Sequence, residues 1–299
     1  MIIEIENLHK AFGRHEALRG LNLGVPEGSA YALIGANGAG KTTTIKTLMN
    51  IIRPTRGTTR ILGVDSRRLA AAQLQRIGYV SENQDMPARM TVAQYLAYLR
   101  PFYPTWDLEL ERSILKELRL PPERRIGDLS HGMRMKTALA CALPFRPRVL
   151  VLDEPFSGLD PLVRDEFMER LLHQAVDMTI LISSHELSEI EGVTTHVGFI
   201  DQGRMLFQES MAELSERFRQ VRITLNSPGA VPDPTPDSWL QATMVGNVLS
   251  FVDCRFTEAR LTEGVAARLK GVKNIDVQPI ALREIFTTLA RESRGGSPS

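Results

Sequence analysis

Nine consecutive residues limit what this chain can fold into more than any others: Gly35-Ala36-Asn37-Gly38-Ala39-Gly40-Lys41-Thr42-Thr43. The apolar run Ala30-Tyr31-Ala32-Leu33-Ile34 before them reads as a buried strand. After them, Thr44 to Ile52 carries apolar residues at helical spacing, so the nine occupy a strand-to-helix turn of the form GxxxxGK[ST]. Glycines let a backbone approach an anion closely. Successive N–H groups and the positive end of a helix then point at it. The turn therefore predicts a triphosphate cradle made by Gly35, Asn37, Gly38, Ala39, Gly40 and Thr43. Lys41 would reach the β- and γ-phosphates and the Thr42 hydroxyl would hold Mg²⁺.

The bulk properties narrow the field without adding chemistry. With 299 residues, 43% hydrophobic and 24% charged, the composition is that of a globular protein with a large core. A net charge of +1 provides no pull toward nucleic acid or a membrane surface, so no nucleic-acid partner is expected. No apolar stretch approaches the roughly 18 residues of a membrane span. Met1-Ile2-Ile3-Glu4-Ile5-Glu6 has acids where a signal peptide is basic. Cys141 and Cys254 lack ligand-like spacing, and Cys141 lies in an apolar helical pattern that predicts a core position. A cytoplasmic protein is the expectation.

Along the chain, Ile3 and Ile5 alternate with Glu4 and Glu6 as in a half-buried strand over residues 2–8. Phe12 follows, read either as a turn aromatic packed on the sheet or as a stacking platform for a base. Strands are predicted over Gly57–Gly63 and Ile77–Val80. Helical periodicity then dominates from about residue 82 to 145, with Asp107 as a helix cap after an aromatic turn. The run Val149-Leu150-Val151-Leu152 marks a central parallel strand ending in Asp153 and Glu154, where open α/β sheets bind ligands. Paired with the phosphate loop, Asp153 is assigned to Mg²⁺ and Glu154 to orienting and deprotonating water. A helix over 161–175 and a strand over Met178–Ser183 lead to His185, expected in the same crevice against the γ-phosphate. Beyond about residue 215, a strand, a proline-rich loop, a strand pair, a helix, a strand and a final helix predict a small α+β domain over 216–292. Residues 293–299 read as a disordered tail.

One phosphate loop does not choose among NTPase families, but Leu129-Ser130-His131-Gly132-Met133 does. It opens a helix ahead of the Asp153-Glu154 strand and resembles the LSGGQ signature of ATP-binding cassette (ABC) ATPases. The remaining pieces fall in that family's order. Phe12 matches the aromatic A-loop, 35–43 Walker A, 149–154 Walker B, Ser157-Gly158-Leu159-Asp160 the D-loop and His185 the H-switch. The resemblance implies an α/β fold: a P-loop NTPase cassette over 1–215, with a mostly parallel RecA-like core, an antiparallel β subdomain and a helical subdomain. It implies the cofactors ATP and Mg²⁺, and head-to-tail dimers in which Ser130 and Gly132 of one copy meet the γ-phosphate held by another. As partners it implies separately encoded transmembrane permease subunits, with a homodimer or a paralogue heterodimer of cassettes peripheral on the inner face of the cell membrane. Residues 83–105 would be the coupling surface.

The chain departs from the family pattern at three positions. His131 replaces the first signature glycine and Met133 the glutamine, while Glu82 stands at the Q-loop position as a further candidate for Mg²⁺. His131 either points to solvent or lies near the partner's triphosphate; Gln84 is an alternative to Glu82 after a local shift. These features are similar to bacterial exporter-type cassettes, and the Phe-Tyr-Pro-Thr-Trp-Asp turn resembles the peptide-antibiotic and cell-envelope-stress subgroup. The leading expectation is an exporter ATPase subunit. The alternatives are a soluble ABC ATPase acting on ribosomes or DNA, and a non-hydrolysing ATP sensor.

Overall fold

Alternating apolar and charged residues begin the chain as strand β1 (Ile3–Phe12), which pairs antiparallel with β2 (His15–Val25). The computed structural model describes residues 1–157, 159, 164, 168, 178–186 and 192–295. β1 runs past the expected residue 8, so Phe12 is the last residue of a strand and sits opposite His15 across the hairpin. β3 (Ala30–Ile34) follows, then the phosphate loop and helix α1 (Lys41–Leu48). β4 (Arg56–Ile61) and the short β5 (Val64–Asp65) complete a four-stranded sheet in the order β2-β1-β4-β5. After helix α2 (Ala71–Leu74), β6 (Ile77–Ser81) returns to a second sheet.

Three capped helices fill the chain between β6 and the next strand. Thr91 caps α3 (Val92–Leu99) in a reciprocal box with Gln94, and Asp107 caps α4 (Leu108–Glu117) through the N–H groups of Glu109 and Leu110. Ser130 caps α5 (His131–Ala142). Val92, Leu96, Ile126, Leu129 and Cys141 form their buried cluster. The aromatic turn before α4 packs locally: Tyr103 stacks on Phe145 with ring centroids 4.0 Å apart. Beside it, buried Glu111 accepts from Trp106 Nε1 at 2.8 Å and from Arg100 at 2.6 and 2.9 Å.

β7 (Val149–Asp153), β8 (Thr179–Ser184), β9 (His196–Asp201) and β10 (Arg204–Ser210) complete the second sheet, ordered β10-β9-β3-β8-β7-β6. The helix expected over 161–175 lies outside the described residues, apart from helical Arg164 and Met168. β3, β6, β7, β8 and β9 run parallel, and β7 and β8 are buried at every residue. Their register positions the site. Asp153 on β7 pairs with Ser183 on β8, which pairs in turn with Leu33 on β3. Three carboxyl ends therefore finish side by side.

The chain divides into two compact units, Met1–Gln208 and Glu209–Ser299, so the division falls before residue 215. The helix Met211–Arg217, capped by Ser210, belongs to the second unit, where Arg217 Nε donates to Glu209 at 2.7 Å. There β11 (Arg219–Leu225), β12 (Trp239–Val245), β13 (Val248–Asp253) and β14 (Val272–Pro279) form an antiparallel sheet ordered β12-β13-β11-β14. Val221, Ile223, Leu249 and Phe251 pack against Leu261 and Val265 of the helix Glu258–Arg268. The final helix runs Leu282–Gly295. Residues 296–299, within the expected tail, lie outside the described residues. Among the described residues no helix is long and apolar enough to cross a membrane.

Glu111 is the polar centre of the helical subdomain. Glu111→Ala should leave Trp106 Nε1 and the Arg100 fork without their acceptor, lowering unfolding free energy by about 2 kcal/mol. Urea titration checks this, and an unchanged midpoint would make the network energetically idle.

Candidate active site

The phosphate loop leaves β3 through Gly35, where a Cβ would lie 2.3 Å from the Ile200 carbonyl oxygen. It enters α1 through Gly40, at φ 113°, where a Cβ would come within 2.8 Å of Leu18 Cδ2. No other residue fits either position without moving the backbone. The start of α1 leaves its first N–H groups without intrahelical acceptors, which is the donor set an anion needs. Gly35 and Ala39 are buried beneath the loop, while Asn37, Gly38, Gly40, Thr42 and Thr43 face a cleft of about 570 Å³.

Lys41 lines the same cleft. It is only 4% exposed, and Nζ donates to the Gly35 carbonyl at 2.7 Å and the Ala36 carbonyl at 3.2 Å. The same nitrogen lies 3.0 Å from Glu154 Oε1. Its ammonium thus holds the loop closed from within and meets the acid that follows β7.

Asp153 ends β7 and is 2% exposed. Its Oδ1 accepts from Thr42 Oγ1 at 3.0 Å and Ser183 Oγ at 2.8 Å. Burial pushes its carboxyl pKa up, and these two hydroxyl donors oppose that rise. Glu154 turns sharply, with φ 51°, and its N–H donates to Ser183 Oγ at 2.9 Å. Its carboxylate is held at both oxygens: Lys41 on Oε1, and His185 Nδ1 on Oε2 at 2.9 Å. The Glu82 N–H donates to the Asp153 carbonyl at 3.0 Å, which brings Glu82 to the rim of the same cleft. Phe12 lines the far side, 50% exposed, with Lys10 Nζ 4.7 Å from its ring centroid.

Thr42 and Asp153 offer oxygen donors close together, with Glu82 nearby. That set could hold a Mg²⁺ ion whose other ligands are phosphate oxygens and water. Among the described residues no group of three His, Cys, Asp or Glu side chains forms a metal cage.

Ser130 and Gly132 do not reach this cleft. Ser130 Oγ accepts from the Met133 N–H at 3.3 Å, capping α5 within the chain. Asp160 lies outside the described residues. His131 is exposed, and its Nε2 is 2.9 Å from the Ser157 carbonyl oxygen. Ser183 is one site residue that sequence reasoning missed. The available signal was a pair of serines closing an otherwise apolar strand directly before His185. His15, on the cleft wall, was missed as well.

A family model described as ABC transporter matches residues 18–157. The bacitracin transport ATP-binding protein BcrA of Enterococcus faecalis is 34% identical over 224 residues, covering 73% of this chain and 72% of that protein. The lantibiotic transport ATP-binding protein SrtF of Streptococcus pyogenes is 33% identical over 215 residues, 70% of this chain and 90% of that protein. Among solved structures, an ATP-binding subunit of an ABC transporter aligns with a TM-score of 0.66 at 28% identity. It covers 72% of this chain and 92% of its own.

Ser183→Ala removes a donor from Asp153 and the acceptor of the Glu154 N–H together. The variant should lose about 2 kcal/mol of stability. Its Mg²⁺-dependent nucleotide affinity should fall more than its affinity measured in chelator, by calorimetry. Equal losses with and without Mg²⁺ would separate Ser183 from the metal-facing carboxylate.

Proposed function

The chain belongs to the ABC transporter ATPase family, and we propose that within it this protein is the ATP-binding and ATP-hydrolysing subunit of an exporter. The observation that carries this reading is the convergence of Lys41, Glu154 and His185 beside the Thr42–Asp153 pair, all at the carboxyl ends of three adjacent parallel strands. Phosphoryl transfer to water needs positioning and charge stabilisation more than covalent chemistry. Lys41 and the loop N–H groups would bind the β- and γ-phosphates. Thr42 and Asp153, with Glu82 near, would hold Mg²⁺. Glu154 would orient water and accept its proton, while His185 holds Glu154 and contacts the γ-phosphate. Phe12 would stack on the base.

Ser130, Gly132 and the D-loop residue Asp160 act, in this reading, on the nucleotide of a second cassette in a head-to-tail dimer, either another copy or a paralogue. The N-terminus of α5 suits that task because its dipole favours negative charge. Membrane subunits would dock on residues 83–105, where Tyr98 and Phe102 are 54% and 55% exposed and meet edge to face at 5.6 Å. The protein would then work at the inner face of the cell membrane. Two relatives are named for bacitracin and lantibiotic transport, which supports a peptide antibiotic as the class of cargo.

Two experiments test this reading. Glu154→Gln keeps the site's shape but removes the base, so MgATP should convert the variant from monomer to dimer in light scattering. A variant that stays monomeric with saturating MgATP, with and without the co-purifying membrane subunit, would overturn the dimer. Tyr98→Ser combined with Phe102→Ser should weaken that subunit's binding by about tenfold or more, since exposed aromatics anchor such contacts. ATP affinity of the isolated chain should stay unchanged.

A further inference from the structure

Residue 131 is where this chain departs most visibly from the family signature, and its side chain is engaged in the structure. His131 is the first residue of α5, directly after the cap Ser130. From there its Nε2 reaches the Ser157 carbonyl oxygen at 2.9 Å. A carbonyl can only accept, so Nε2 is the donor. The contact joins the helical subdomain to the loop that follows β7, within a single chain. A glycine here could not make it.

Ser157 is not an arbitrary point on that loop. Its own N–H donates to the Glu154 carbonyl at 3.3 Å, and the Leu159 N–H donates to the Phe156 carbonyl at 3.0 Å. Glu154 and Ser157 therefore open and close one tight turn. The turn begins at φ 51°, a region that a non-glycine residue holds only when its surroundings enforce it. On one side the enforcement is the Ser183 hydroxyl, which accepts the Glu154 N–H. On the other side it is His131. Side-chain contacts hold the Glu154 carboxylate itself, through Lys41 and His185.

We infer that His131 is a positioning residue for hydrolysis, bracing through the Ser157 carbonyl the turn that aims Glu154 at its water. The inference rests on the reading of Glu154 as the base. The brace survives protonation of the ring, because Nε2 carries hydrogen in the neutral donor tautomer and in the imidazolium alike. Its work is geometric. It also links the signature helix directly to the hydrolytic turn.

The test compares ATP hydrolysis by the full-length parent, His131→Gly and His131→Gln. Glycine restores the family residue but removes the donor; the glutamine amide can donate to the same carbonyl. A mispositioned base should lower kcat by about tenfold in His131→Gly, with KM for ATP within about twofold. His131→Gln should stay within about twofold of the parent in kcat. Equal kcat in the parent and His131→Gly, or an equal fall in both variants, overturns the inference. Ring ¹⁵N shifts of His131 give a readout independent of turnover. Protonated Nε2 beside unprotonated Nδ1 at alkaline pH is expected, and the opposite tautomer overturns the brace. No turnover even in the parent would strike at the hydrolytic reading instead, leaving the ring tautomer to decide the brace.

Discussion

A carboxylate buried at the end of β7 and gripped by two hydroxyls is the contact on which the rest of the active site depends. Asp153 Oδ1 collects Thr42 from the phosphate loop and Ser183 from the neighbouring strand. Three separate segments of chain are thereby fixed to one oxygen atom. Desolvating such a group is unfavourable unless donors compensate, and here the compensating donors are also the scaffold. The arrangement follows from sheet register: Leu33, Ser183 and Asp153 lie in line on β3, β8 and β7. A slip of one residue in any of these pairings would turn the side chain away from the cleft.

Local chemistry made much of this legible in the sequence. The phosphate loop could be read because Gly35 and Gly40 occupy positions that admit no side chain, with lysine and threonine following at fixed spacing. Asp153 and Glu154 were legible because four apolar residues lead directly to them. Asp107 was legible as a cap because aspartate satisfies the first N–H groups of a helix from its own chain. Each of these inferences needs only a few neighbouring residues.

What escaped was non-local. Ser183 looks like any serine until β8 is known to lie beside β7. Lys41 reads as a ligand-facing charge because nothing in the sequence announces the carbonyls of Gly35 and Ala36 folding over it, or Glu154 arriving from the far half of the cassette.

The pairing of Lys41 with Glu154 has a consequence for which anions the cleft admits. While the ammonium is matched by a carboxylate and two carbonyls, a lone inorganic phosphate meets little uncompensated positive charge there. It would have to displace Glu154 in exchange for a few hydrogen bonds. A ligand that draws Lys41 to its phosphates must therefore take the ammonium away from Glu154.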